Sequence, residues 1–154
     1  GGRERRIATE IRAAQTDERA QLAALRAFGL PLGIAYQLRD DMLGVFGNPS
    51  ITGKPAGDDL REGKRTVLIA LARAGLPGNA ARLLDELLGD PDLGDDQIRM
   101  LQSTLVASGA VDKVERMISH NVGLAREALD EAPLDRAAVA ELARLTETVS
   151  NRAA

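Results

Sequence analysis

Between Val111 and Leu129 the residues Val111, Val114, Ile118, Val122, Ala125 and Leu129 recur every three or four positions. Only an α-helix turns that spacing into one continuous apolar face, here about five turns long. A second stripe, Ile34, Leu38, Met42 and Val45, falls at i, i+4, i+8 and i+11. Faces of this kind must be buried against other helices. The residues available for burial agree: aromatics make up only 2% of the 154 residues, Trp is absent, and 44% are hydrophobic. The core is therefore built from Leu, Ala, Val and Ile, and Ala and Leu favour helix over sheet. The expectation is all-α: a helical bundle with essentially no sheet. Residues 1–154 suffice for a single domain with its own core.

Local signals divide the chain. Residues 4–15 read as a helix, and a longer one runs from Asp17 to about Phe46, with Thr16 or Asp17 as its N-cap and a kink or break near Gly29–Pro31. The stretch 47–58, GNPSITGKPAGD, holds three Gly and two Pro in twelve residues, which excludes a helix and gives no strand alternation. Loops of this length are uncommon inside compact domains and are usually functional or disordered. Helices are then expected over Asp59–Ala74, Asn79–Leu88 with Gly89 as cap, Gly94–Ser108, Ala110–Ala132 before Pro133, and Asp135–Val149 behind an Asp135 cap. Met42, Met100 and Met117 read as core, and His120 as a partly buried helix residue.

Charge and composition narrow the function classes. A net charge of −3 and a pI of about 5.2 argue against nucleic acid as a partner. With no Cys and His120 as the lone imidazole, zinc ribbons, iron–sulfur sites and thiol catalysis are excluded. A metal site here must use carboxylate oxygens, which suits Mg²⁺, Mn²⁺ or Ca²⁺. No apolar run approaches the ~18 residues of a membrane span and no signal peptide is evident, so a cytoplasmic location is expected. The chain opens Gly1-Gly2 without Met, as a part of something longer would.

Chemistry concentrates in Gly33–Thr66. Gln37, Asp40, Asp41 and Gly44 stand at i, i+3, i+4 and i+7 and share a helix face beside the apolar stripe. Two adjacent carboxylates bordering a buried stripe are costly to desolvate unless a cation compensates them. The plain alternative is a solvated face with Arg39 as counter-charge. Lys54, in the Gly/Pro loop, suits a phosphate as a point charge. The loop is not a P-loop: five residues separate Gly47 from Gly53, and Pro55 stands where the metal-binding hydroxyl belongs. Asp58, Asp59, Arg61, Glu62, Lys64 and Arg65 cluster at the next helix start, where Asp59 serves either as an N-cap or toward a metal, and Lys64 and Arg65 have Glu62 and Asp58 as surface partners.

Taken in order, Tyr36-Gln37-x-Arg39-Asp40-Asp41, Phe46-Gly47-Asn48-Pro49, Thr52-Gly53-Lys54-Pro55 and Asp59-Leu60-x-Glu62-Gly63-Lys64-Arg65-Thr66 resemble the second aspartate-rich region of polyprenyl synthetases, the trans-type farnesyl, geranylgeranyl and longer-chain diphosphate synthases. Weaker resemblance continues toward the C-terminus. It implies the C-terminal part of an isoprenoid-synthase fold, in which Mg²⁺ ions between two facing aspartate-rich helices bind an allylic diphosphate. Ionisation of that diphosphate gives an allylic cation, which the double bond of isopentenyl diphosphate attacks before a proton is lost. On the matching positions, the resemblance implies metal-binding for Asp40 and, less directly, Asp41. It implies that Lys54 holds the allylic diphosphate, with Lys64 adding to the same positive rim, and that Gln37 lies near the isopentenyl and carbocation site with Tyr36 beside it in the cavity wall. The resemblance also allows a diphosphate contact for Arg152, against the plainer expectation of a disordered chain end.

Two departures stand out. The family pattern is Asp-Asp-x-x-Asp, and this chain has Asp40-Asp41-Met42-Leu43-Gly44, so a third carboxylate is missing from that face. The first aspartate-rich motif is absent altogether, which reads as a truncated product or a fragment of a longer protein. The leading expectation is a prenyltransferase condensing isopentenyl diphosphate with an allylic diphosphate. The alternative is a non-catalytic, truncated or regulatory helical subunit that pairs with a complete synthase. A helical scaffold with a fortuitous acidic pair leaves the loop motifs unexplained. Alone, the Ile34–Val45 and Val111–Leu129 stripes are expected to leave an apolar patch exposed, favouring a homo-oligomer.

Overall fold

The computed structural model describes residues 1–151, and all regular structure among them is helical. Eight helices follow in order: α1 (Gly2–Phe46), α2 (Pro49–Thr52), α3 (Asp58–Glu62), α4 (Val67–Gly75), α5 (Gly78–Leu87), α6 (Asp95–Ala107), α7 (Ala110–Asp130) and α8 (Arg136–Asn151). The bundle is organised on α1 and α7, which pack along each other, with α8 and α4 against α7 and α3 against α1.

Both stripes read from the sequence are buried, but against each other rather than left bare. From α7, Val114, Ile118, Val122, Ala125 and Leu129 are buried. They meet Phe28, Leu32, Ala35, Leu38, Met42 and Val45 of α1 in one core that also takes Leu60, Leu68, Leu84, Leu101 and Leu105. The α1 stripe is rotated from the expected one: Ile34 is exposed, and Ala35 takes its place inside. Met42 is core as expected, whereas Met100, Met117 and His120 lie on exposed faces.

The opening two helices are one. Thr16 does not cap; its hydroxyl donates to the Arg12 carbonyl at 2.9 Å, a bond made within a continuing helix. Pro31 lies inside α1 without ending it. Conversely, the helix expected over Asp59–Ala74 is two. Gly63 adopts φ +71°, a conformation that L side chains avoid, and closes α3. Thr66 then starts α4, its hydroxyl accepting from the Ile69 amide at 3.3 Å. The 47–58 loop also holds a single helical turn, α2, made possible by Pro49 at its first position and by Asn48, whose side-chain oxygen accepts from the Ser50 amide at 3.0 Å. The Asp135 cap is present: its carboxylate accepts from the Ala138 amide at 2.7 Å.

Arg39 joins three elements. Buried on α1, its guanidinium donates to both carboxylate oxygens of Glu115 on α7 (2.6 and 3.0 Å) and its Nε donates to the Val149 carbonyl on α8 at 3.1 Å. This planar two-pronged fit is available to Arg and not to Lys.

Candidate functional site

The C-terminal end of α1, the loop around α2, the short α3 and the turn after it enclose a cleft of about 290 Å³. Asp40, Leu43 and Gly44 line it from α1; Ile51, Thr52, Lys54 and Pro55 from the loop; Asp58 and Asp59 from α3; and Lys64 from the turn. The loop is held locally. Thr52 Oγ1 accepts from the Lys54 amide at 3.3 Å and donates to the Lys54 carbonyl at 3.2 Å, which fixes the backbone that carries the exposed Lys54 side chain. On the far side Arg61 ties the loop down, donating to the carbonyls of Ala56 (3.1 Å) and Leu93 (3.0 Å). Gln102 of α6 donates to the Val45 carbonyl at 2.7 Å, satisfying one of the free carbonyls at the end of α1.

Asp40 and Asp41 part company here. Asp40 is exposed in the cleft, whereas Asp41 is buried, accepting from Gln37 Nε2 at 3.0 Å. Burial raises the Asp41 carboxyl above its ordinary range; the Gln37 bond and the Lys64 charge oppose that rise, and Asp59 and Asp40 add to it. Arg39 does not neutralise this pair, because Glu115 engages it on the other side of α1. The cation that faces Asp41 is Lys64, with Nζ 4.0 Å from Asp41 Oδ1 and 3.8 Å from Asp59 Oδ2, at the outer edge of ion-pair distance.

Asp59 does not cap α3. Gly57 holds the cap position, no side chain caps there, and Asp59 is buried with its carboxylate turned toward α1. It lies over Gly44 so closely that a Cβ at position 44 would overlap it. Position 44 of α1, which has no carboxylate of its own, thus has one laid over it from α3. Nothing in the local pattern announces this; the one sequence signal is a Gly seven residues after Gln37 on the same face.

The sequence-predicted residues divide accordingly. Asp40, Lys54 and Lys64 share the cleft, and Asp41 and Gln37 adjoin it through Lys64 and through each other. Tyr36 is drawn aside: its hydroxyl donates to the Leu145 carbonyl of α8 at 3.1 Å, and its ring packs on the core. Lys64 pairs with Asp41 and Asp59 rather than with Glu62 or Asp58. Arg152 lies outside the described residues.

Asp40, Asp41, Asp58 and Asp59 stand against Lys54 and Lys64, so the fully ionised cleft is negative. Its donors are hard oxygens, which fit Mg²⁺ or Ca²⁺. Among the described residues no group of three carboxylates or imidazoles closes on a point by itself. That arrangement suits Mg²⁺, which keeps several waters and binds through one or two carboxylates together with substrate phosphates.

Residues 5–105 match the family model of polyprenyl synthetases. The chain belongs to the polyprenyl synthetase family. A geranylfarnesyl diphosphate synthase of Aeropyrum pernix is 40% identical over 119 residues, which cover 76% of this chain and 36% of that relative. Among solved structures, geranylgeranyl pyrophosphate synthase from Corynebacterium glutamicum, complexed with isoprenyl diphosphate and magnesium, superposes with a TM-score of 0.80 at 40% identity, covering 85% of this chain and 37% of that one. Polyprenyl synthase from Caulobacter crescentus, complexed with calcium and isoprenyl diphosphate, gives a TM-score of 0.72 at 36% identity, over 87% of this chain and 41% of that one. The fold is therefore the all-α isoprenoid-synthase fold, and this polyprenyl synthetase chain spans well under half the length of the relatives it matches. No helix among the described residues is long and apolar enough to cross a membrane.

Proposed function

We propose that this chain contributes the second aspartate-rich half of a prenyltransferase site, one that condenses isopentenyl diphosphate with an allylic diphosphate. The observation that carries this reading is the meeting of Asp40, from the end of α1, with Lys54, from the loop, in one cleft. A diphosphate bridging a carboxylate-bound cation and an ammonium needs that pairing of opposite charges on opposite walls. Relatives complexed with isoprenyl diphosphate and magnesium or calcium support the same ligand class.

In this reading Asp40 is the metal ligand on the cleft wall, with Asp41 behind it as the buried acceptor that Gln37 orients. Mg²⁺, when bound, neutralises charge on the diphosphate as it departs. Lys54 and Lys64 grip the diphosphate oxygens. As the allylic C–O bond breaks, its electron pair goes to the diphosphate, so fixed ammonium groups stabilise the transition state more than the ground state. The carbon centre left behind is attacked by the isopentenyl double bond, and loss of a proton completes the new alkene.

A second reading has its own support. The chain has Gly44 where the family pattern has a third Asp, as suits a helical subunit that is silent alone and pairs with a complete synthase. The two are separated by a magnesium-dependent assay with radiolabelled isopentenyl diphosphate and a panel of allylic diphosphates, run on this chain alone and on a form extended upstream. Elongated product from either, lost in Asp40→Ala and Lys54→Ala, supports the prenyltransferase. Silence in both forms overturns it in favour of the non-catalytic subunit.

A further inference from the structure

Lys64 is held between two carboxylates, Asp59 of α3 and Asp41 of α1, and the shorter contact is the one to Asp59. Its backbone amide donates to the Asp59 carbonyl at 3.0 Å, and its Nζ lies 3.8 Å from Asp59 Oδ2, so Asp59 meets both the main chain and the ammonium of Lys64. Asp59 is itself fixed, being 8% exposed, with its carboxylate in the hollow over Gly44. Any side chain at position 44 would fill that hollow and drive the carboxylate out. Lys64 is otherwise half-exposed on a flexible four-carbon stem, and without these contacts its ammonium would sample solvent.

We propose that Asp59 is a positioning residue: seated over Gly44, it aims the Lys64 ammonium into the cleft beside Asp41. The proposal rests on the diphosphate-binding reading above and adds to it that Asp59 acts through Lys64, with Gly44 as the condition for its seat. The carboxylate absent from the α1 face is in this sense supplied from α3, where it serves the lysine. The substitution of a side chain at 44 and the loss of charge at 59 are then two routes to one defect.

The test is a double-mutant cycle on the full chain, reading the binding of inorganic pyrophosphate with Mg²⁺ by titration calorimetry. Asp59→Asn keeps the shape of the side chain and removes its charge. It is expected to weaken binding about tenfold in the otherwise wild-type chain and by less than about twofold in a Lys64→Ala background, because the group it positions is gone. Gly44→Ala is expected to follow Asp59→Asn, with helical circular dichroism retained in both. An Asp59→Asn loss of the same size in both backgrounds means that Asp59 acts on its own and overturns the proposal, as does no loss in either. Wild-type binding that depends on Lys54 but not on Asp59 overturns this inference and leaves the diphosphate reading standing. Absence of wild-type binding removes both.

Discussion

Asp40 and Asp41 are neighbours in the chain, yet one opens into the cleft and the other is buried among α1, Lys64 and Asp59. The difference has a measurable sign. A carboxyl raised above its ordinary value of 3.8 binds its proton more tightly in the folded chain than in the unfolded one. Ionising Asp41 therefore costs stability. The cost is absent below pH 3.8, grows as pH rises, and is complete once the raised folded value is passed. Asp41→Asn retains an oxygen acceptor for Gln37 and removes the charge. Its melting temperature is expected to exceed that of the wild type at neutral pH, the gap closing as the pH is lowered through the acidic range; a wild type that melts higher at neutral pH contradicts this. The pairing of carboxylates on one helix face was legible from spacing alone. Which of the two turns inward was not, because that depends on α3 and on Lys64, a contact made across more than twenty positions of sequence.

Among the elements, local chemistry was readable and partner-dependent chemistry was not. The α7 stripe and the Asp135 cap follow from residues within a few positions of each other. Periodicity alone puts Ile34 in the α1 stripe, but α7 decides which face of α1 is covered, and it covers the one carrying Ala35. The Gly63 and Thr66 that divide α3 from α4 lie inside the span that periodicity reads as one helix. Arg39 is the clearest case of a role set by distant partners: it lies 76 positions from Glu115 and 110 from Val149, and it fastens α1 to α7 and α8 together. Arg39→Ala removes that fastening, leaves the Val149 carbonyl without this donor and exposes Glu115 to a lost partner. Since Glu115 is half-exposed and regains water, the expected loss is about 2–4 kcal/mol in urea unfolding, less than for a fully buried pair. Arg39→Lys recovers only a part, lacking the two-pronged geometry.

At the scale of the whole molecule, α1 divides in two. From Phe28 onward it is core; before that, residues 2–27 carry no buried side chain. Ile7, Ile11, Leu22, Leu25, Leu30 and Ile34 are exposed along it, and Leu124 of α7 is exposed as well. Exposed apolar side chains are therefore present, as expected from the sequence, but chiefly along α1 before its core segment; of the two stripes Ile34 is bare, while the rest bury each other. Exposed apolar surface of this extent drives association. The chain is expected to show a weight-average mass that rises with concentration in sedimentation equilibrium. Leu22→Lys with Leu25→Lys should suppress that rise while leaving the melting temperature within a degree or two of wild type, since neither side chain is part of the core. A monomer at all concentrations contradicts the expectation.

The surplus of carboxylates over ammonium groups in the cleft has a consequence for sequence in time. An incoming polyanion meets a repulsive field, while a divalent cation is drawn in, and once seated it cancels the excess negative charge that the next visitor would otherwise encounter. On the proposed reading, electrostatics favours a queue: cation first, or cation and anion together, ahead of the anion alone.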